Sequence, residues 1–425
     1  MISRVTPHRV GLLTAVASTQ LAVQLIGFLA GLLLVRYMPR ADYGHYTLAM
    51  SLLGTAIVLT DLGLSAAVMA CGGRLLARGA PLYDLMADAA DLHGRIAIVS
   101  LLLCLPGFAW MLSGLSMPLA QVAALTLLIG VATLCHVRSA IALSVLRVQG
   151  QVAFPQMVEL GVNFARLVAF SAALWLAFDA TIALLLVCGA AAAQFALLAR
   201  RANVGRNSAM RATGGAHRVA LVDHLRRQAP NAIYFVLSSQ IGVWLVSVMG
   251  NADRVAEVGA LGRLAVVFSI IGAVSAALVQ PYFARQKHHA ELSATFLAAN
   301  AFFAVLLAVL VGLSVSVPEA LLWVLGSQYS GLHTELLWLV VSATFAAWGG
   351  ALYSLGASRG WVQPVGVTIA GGVLAIVLVV SLVDVSTVRG AFMLNSATAF
   401  VGAALCFAYL FIQLQSQARM EGKPA

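Results

Sequence analysis

Glu159, Asn163 and Arg166 fall at i, i+4 and i+7 of one apolar run, a spacing that sets them along one face of a helix. Arg166 lies eleven residues past Pro155, which is ~16 Å along a helix axis. An ionisable side chain at that depth of a bilayer is a functional candidate by default. Its planar guanidinium suits a two-point grip on a phosphate, which the point charge of lysine does not match. In the first apolar run Ala17, Gln20, Gln24, Gly27 and Gly31 recur at steps of three and four. They read either as a polar stripe lining a cavity or as small packing residues with the glutamines as interhelical glue, since Gly27-x-x-x-Gly31 is a close-packing motif. In the second run Gly54, Val58, Asp61 and Ser65 share a helical face. A charge as deep as Asp61 costs about 2.5–3.5 kcal/mol on insertion scales.

The remaining charges inside apolar runs have structural readings as well. Arg138, near the end of the fourth run, is expected at about the depth of Glu159. An Arg138–Glu159 pair across that hairpin is the structural alternative, and it leaves Arg166 with no obvious acid in its own run. Asp61, Glu159 and Arg138 are thus candidates for ion coupling or for structural pairing. Arg263 lies about one turn inside the eighth run, where snorkelling to the headgroups accounts for it equally well. His136 reads as a hydrogen-bonded interior histidine. Trp348 and Tyr353 read as core packing ahead of sugar stacking.

The elements that must carry these residues follow from composition. The chain has 425 residues, of which 61% are hydrophobic and 9% charged, with a mean hydropathy of +0.96. A soluble domain is about 45–50% apolar and about 25% charged, so a soluble enzyme lacks the side chains to cover its surface here. Twelve apolar runs begin near Val10, Tyr46, Ile96, Pro118, Gln156, Ala180, Asn231, Val258, Leu292, Leu332, Val362 and Ala391. At ~20 residues per crossing they predict an all-α polytopic membrane protein of about twelve spans, with no room for a folded extramembrane domain. The first run, Val10 to Val35, exceeds the 7–15 residues of a signal-peptide core and is read as an uncleaved span. Neither G-x-x-x-x-G-K-[ST] nor G-x-G-x-x-G occurs. No Ser-His-Asp, paired-carboxylate or H-E-x-x-H arrangement is readable, so no catalytic residue, metal or cofactor is expected. Cys71, Cys104, Cys135, Cys188 and Cys406 form no C-x-x-C pair and read as small buried hydrophobes.

Basic residues set the orientation. With the N-terminus inside, loops on its side hold eighteen Lys and Arg and the opposite loops four, Arg36, Arg40, Arg254 and Arg389. Cytoplasmic loops carry the basic excess, so both termini are expected in the cytoplasm. The net charge of +10 comes mainly from the segment Arg200 to Arg227, with seven arginines against Asp223 alone. It holds no aromatic residue of the kind that interleaves nucleic-acid patches. It reads as a cytoplasmic loop, or secondarily as a surface for anionic lipid heads, and no nucleic acid is expected. The segment divides the chain into a six-span lobe over 1–200, a basic linker over 201–228 and a six-span lobe over 229–425. Gly44 and Gly259 open the second and eighth runs 215 residues apart, the internal-repeat layout of many transporters.

Two stretches carry a resemblance. Leu32-Leu33-Leu34-Val35-Arg36-Tyr37-Met38-Pro39-Arg40-Ala41-Asp42-Tyr43-Gly44-His45-Tyr46 is one, and Asp61-Leu62-Gly63-Leu64-Ser65 is the other. They resemble the polysaccharide-biosynthesis, or lipid-linked oligosaccharide flippase, branch of the multidrug/oligosaccharidyl-lipid/polysaccharide exporter (MOP) superfamily. Glu257-Val258-Gly259 and Pro281-Tyr282-Phe283-Ala284-Arg285 look like the matching parts of the second half. The resemblance implies two six-helix lobes around a central cleft and a polyprenyl-pyrophosphate oligosaccharide as substrate, flipped by alternating access in a bacterial inner membrane. Surface polysaccharide synthesis, as O-antigen, capsule or exopolysaccharide, is the implied setting, with membrane lipids, a polysaccharide polymerase and chain-length proteins as partners. On that reading Arg166, Asn163, Gln20, Gln24, Arg263 and Arg36 contact substrate. The alternatives are a multidrug or other small-molecule exporter of the same superfamily and a membrane glycan polymerase or acyltransferase. A drug-cation cavity should favour acids, whereas the buried charges lean basic. A polymerase or acyltransferase usually needs a large outer loop or in-membrane histidines with catalytic partners.

Overall fold

The structure, a computed structural model, describes residues 7–175, 178–202, 215, 217–266, 268, 279–280, 282–284, 286, 288–361 and 363–421, with side chains from residue 18 to residue 418. Pro281 and Arg285 of the resemblance and the side chain of Ala17 lie outside them, as do Arg206 and Arg211 of the basic segment. No strand occurs among the described residues. In lipid a backbone must satisfy its own hydrogen bonds, and helices do so within one segment.

The helices are α1 (Pro7–Tyr37), α2 (Arg40–Asp61), α3 (Leu64–Ala77), α4 (Tyr83–Ser113), α5 (Leu119–Val148), α6 (Ala153–Ala173), α7 (Ala180–Ala202), α8 (Arg218–Met249), α9 (Ala252–Leu264), α10 (His289–Ser316), α11 (Pro318–Trp323), α12 (His333–Ser358), α13 (Val365–Leu382) and α14 (Val388–Glu421). Among the described residues ten segments are long and apolar enough to cross a membrane, α2 and α3 counting together as Arg40–Ala77. Of the two other expected spans, α6 has 21 residues, ~31 Å of helix, and its polar strip dilutes its hydropathy. The run expected from Val258 begins within α9 and continues largely outside the described residues. The chain is an all-α, multi-pass membrane protein. Leu102 and Leu103 are 71% and 74% exposed, an apolar surface that water would penalise and lipid does not.

Packing divides the chain into two compact units, Met1–Gln240 and Ile241–Ala425, with the boundary inside α8. In the first, α5 packs on α7, α2 and α3, α4 packs on α2, and α1 packs on α6. One core joins Leu64, Val68 and Cys71 of α3 to Leu85, Met86 and Leu92 of α4, Ile141 and Val145 of α5, and Leu221 and Leu225 of α8. Residues 218–228, expected within the linker, are therefore the first turns of α8, held by an i, i+4 leucine pair. The Asp88 carboxylate of α4 anchors their approach, accepting from the Gly215 and His217 amides at 3.2 and 2.9 Å.

In the second unit α12 and α13 both pack on α14. At Gly349 a Cβ would stand 3.3 Å from the Cβ of Ala403, a close helix approach of the kind small residues permit. The Trp348 indole donates to Asn300 Oδ1 at 2.8 Å and lies 6.3 Å from both Phe345 and Phe407, so it is a packing residue. Phe283, from the second-half resemblance, is fully buried. Arg359 donates to the Phe283 and Gln286 carbonyls at 3.1 and 2.8 Å and lies 4.9 Å from the Trp361 ring centre. That clamp explains a buried aromatic where the sequence shows only a short motif.

Candidate functional site

The polar strip of α6 is a continuous hydrogen-bonded chain. Arg166 Nη2 donates to Asn163 Oδ1 at 2.8 Å, and Asn163 Nδ2 donates to the Glu159 backbone carbonyl at 2.8 Å. All three side chains are half-buried. Asn163 therefore holds the guanidinium along its own helix, one turn away, without neutralising it. His136 of α5 lies within coulombic range of Arg166.

The helix that packs against α6 is α1, the one carrying the glutamine stripe. Gln20 is exposed and Gln24 half-buried. A Cβ at Gly27 would meet no atom within 4 Å, so Gly27 is not a close helix contact, contrary to the packing reading of its motif. Arg36 stands exposed in the last turn of α1. The fold thus sets the two helices with the candidate strips side by side, although the sequence separates them by more than a hundred residues.

Two expectations need correction. The first is the Arg138–Glu159 pair. Ion pairs among the described residues include Asp42–His45 and Asp91–Arg95, but Arg138 and Glu159 form none. Arg138 is exposed and lies in coulombic range of His93 on α4. The cause is rotational: α6 packs on α1 and α7, whereas Arg138 sits on the side of α5 turned toward α4. The second is the continuous face Gly54–Val58–Asp61–Ser65. The helix breaks after Asp61, with Leu62 and Gly63 at φ of 45° and 87°, a left-handed conformation that glycine adopts without cost. Asp61 caps the new start, accepting from the Gly63 and Ser65 amides at 3.2 and 3.1 Å and from the Ser65 hydroxyl. The N-cap position itself is Gly63, which has no side chain to offer, so Asp61 supplies the acceptor from two residues earlier.

Arg263, in the last turn of α9, is half-buried and belongs to the second unit. Sequence reasoning missed His93, and it missed Gln240 of α8, whose Oε1 accepts from the Ser51 hydroxyl of α2 at 2.6 Å. The signal for Gln240 was available, a glutamine inside an apolar run. His93 adjoins Asp91 and Arg95 and therefore reads as part of a loop.

The fold is that of MOP-superfamily transporters. The inward closed structure of the lipid II flippase MurJ superposes with a TM-score of 0.72 at 10% identity, over 95% of this chain and 87% of MurJ. An outward-facing multidrug resistance MATE family transporter of the MOP superfamily gives 0.62 at 15% identity, over 95% and 94%. The eukaryotic MATE transporter AtDTX14 gives 0.58 at 16% identity, over 96% of each chain. No protein-family model and no curated protein sequence matches the chain. The fold implied by the two sequence stretches is thus the fold the chain has. The solved proteins it resembles are transporters and flippases.

Proposed function

We propose that the protein flips a polyprenyl-pyrophosphate-linked oligosaccharide from the cytoplasmic to the outer leaflet by alternating access, for surface polysaccharide synthesis. The observation that carries the reading is the Arg166–Asn163 pair on α6, a guanidinium held by a neutral amide ~20 Å from the start of its helix, beside the glutamine-bearing α1. The likeness to a lipid II flippase supports a lipid-linked substrate. A sugar hydroxyl taken into hydrocarbon without a partner costs about 4–8 kcal/mol, so an oligosaccharide crosses only where side chains replace water. Gln20, Gln24 and Asn163 supply such partners, Arg166 grips the pyrophosphate, and Arg36 receives it at the outer end of α1. With both termini cytoplasmic in an inner membrane, a negative interior favours outward movement of the anion by ~2.3 kcal/mol per charge per 100 mV.

Reconstituted protein is expected to expose a lipid-linked glycan at the opposite leaflet, chemically unchanged. Arg166→Ala should abolish this without loss of folded protein, and Arg166→Lys should retain part of it. Flipping at the normal rate by well-folded Arg166→Ala refutes the role, and an elongated or acylated product refutes the function. The likeness to MATE transporters favours a second reading, export of a small molecule. Efflux of cationic dyes with no effect of the lipid-linked glycan would select it.

A further inference from the structure

The break between α2 and α3 faces an unusual histidine. His93 of α4 is 2% exposed, and its Nε2 is buried without a hydrogen-bond partner. A buried polar group left unsatisfied costs about 1–3 kcal/mol, and most native ones are bonded. Its neighbour Leu92 belongs to the apolar core of the first unit. Two charged groups from other helices lie in coulombic range of the ring, Asp61 at the end of α2 and Arg138 on α5. Of the other charges on the packed elements, Asp84 and Asp88 of α4 and His136 of α5 are half-buried, and Asp88 is bonded to the Gly215 and His217 amides. Arg74 and Arg78 at the end of α3 and Asp223, Arg226 and Arg227 of α8 are exposed, and His224 is half-buried. On α4 itself Asp91 and Arg95 pair with each other at 3.2 Å on the surface.

We propose that His93 is a proton-binding site, and that the elbow between α2 and α3 responds to its occupancy. The step forms a single bond, Nε2–H, with the proton taken from water and returned to it. The Asp61 carboxylate is shared between the Gly63 and Ser65 amides and the Ser65 hydroxyl. A cation on His93 attracts that carboxylate and competes with those donors, while Arg138 opposes the cation. Protonation therefore loosens the cap that starts α3, and loss of the proton restores it. The elbow reaches a further helix, because a Cβ at Gly63 would stand 3.3 Å from the Cβ of Gln228 on α8. A proton at His93 is thus linked to the relative setting of α2, α3 and α8 within the first unit. This goes beyond the proposed flipping reaction and does not depend on its substrate.

The test uses the full-length protein in lipid nanodiscs with labelled histidine, read by NMR across pH. One imidazole signal, absent from His93→Gln, should titrate as the pH is varied. Its midpoint should move in opposite directions in Asp61→Asn and Arg138→Gln, each by about one unit, the ordinary spread of histidine values in folded proteins. A spin label on Ala66→Cys should change mobility over the same pH range, and the change should vanish with His93→Gln. A His93 signal that does not titrate overturns the proposal, as do midpoints unmoved in both charge variants. Should His93→Gln fail to fold, the opposite shifts of the other two variants decide the matter. Failure of the protein to flip any lipid leaves the titration readable.

Discussion

Asn163→Leu separates a positioning role for Asn163 from simple packing. The leucine is close in volume and stays helical, but it removes the 2.8 Å acceptor of the Arg166 guanidinium. A hydrogen bond to a charged group contributes about 1.5–3 kcal/mol. At 1.4 kcal/mol per factor of ten, a substrate held through Arg166 should bind ~10- to 100-fold more weakly. Asn163→Asp supplies the control: it keeps an acceptor in place but neutralises the guanidinium. If the pair is structural, the aspartate variant should be as stable as the wild type or more so, and fully active. If Arg166 grips an anion, that variant should be stable and nearly inactive. The assay is flipping of a lipid-linked glycan in liposomes against substrate concentration, with thermal unfolding measured on the same preparations. Wild-type flipping by Asn163→Asp refutes the reasoning.

Orientation is testable in a cysteine-free background: with cytoplasmic termini, Ser330→Cys should react with an impermeant thiol reagent on intact cells and Gln149→Cys should not, and the reverse pattern inverts the topology. Gly349→Leu should lower stability by about 1–3 kcal/mol through overpacking against Ala403. Gly27→Ala, with no atom within 4 Å of the added methyl, should leave thermal unfolding unchanged or raised. Arg359→Lys should lose the paired carbonyl contacts to Phe283 and Gln286 and cost about 2 kcal/mol; an unchanged unfolding midpoint would show that the clamp is dispensable.

The class of protein was legible from composition, because hydrocarbon forces a spanning backbone into helices and forces those helices to be apolar. The polar strip of α6 followed from periodicity alone, since i, i+4 and i+7 share a face in any helix. Partnership between helices was not legible. Nothing in the order of residues says that α6 turns to α1, or that Arg138 looks toward α4 and away from Glu159, because the rotation of each helix is fixed by all its neighbours at once. The break after Asp61 was half-legible. Asp61, Gly63 and Ser65 are turn and capping residues, but inside an apolar run the helical pattern outweighs them. Only the folded chain shows Asp61 spending its carboxylate on α3, and only the folded chain brings His93, more than thirty residues away in sequence, within range of that carboxylate. Sequence-local rules fixed what each helix is, and packing decided which charges meet.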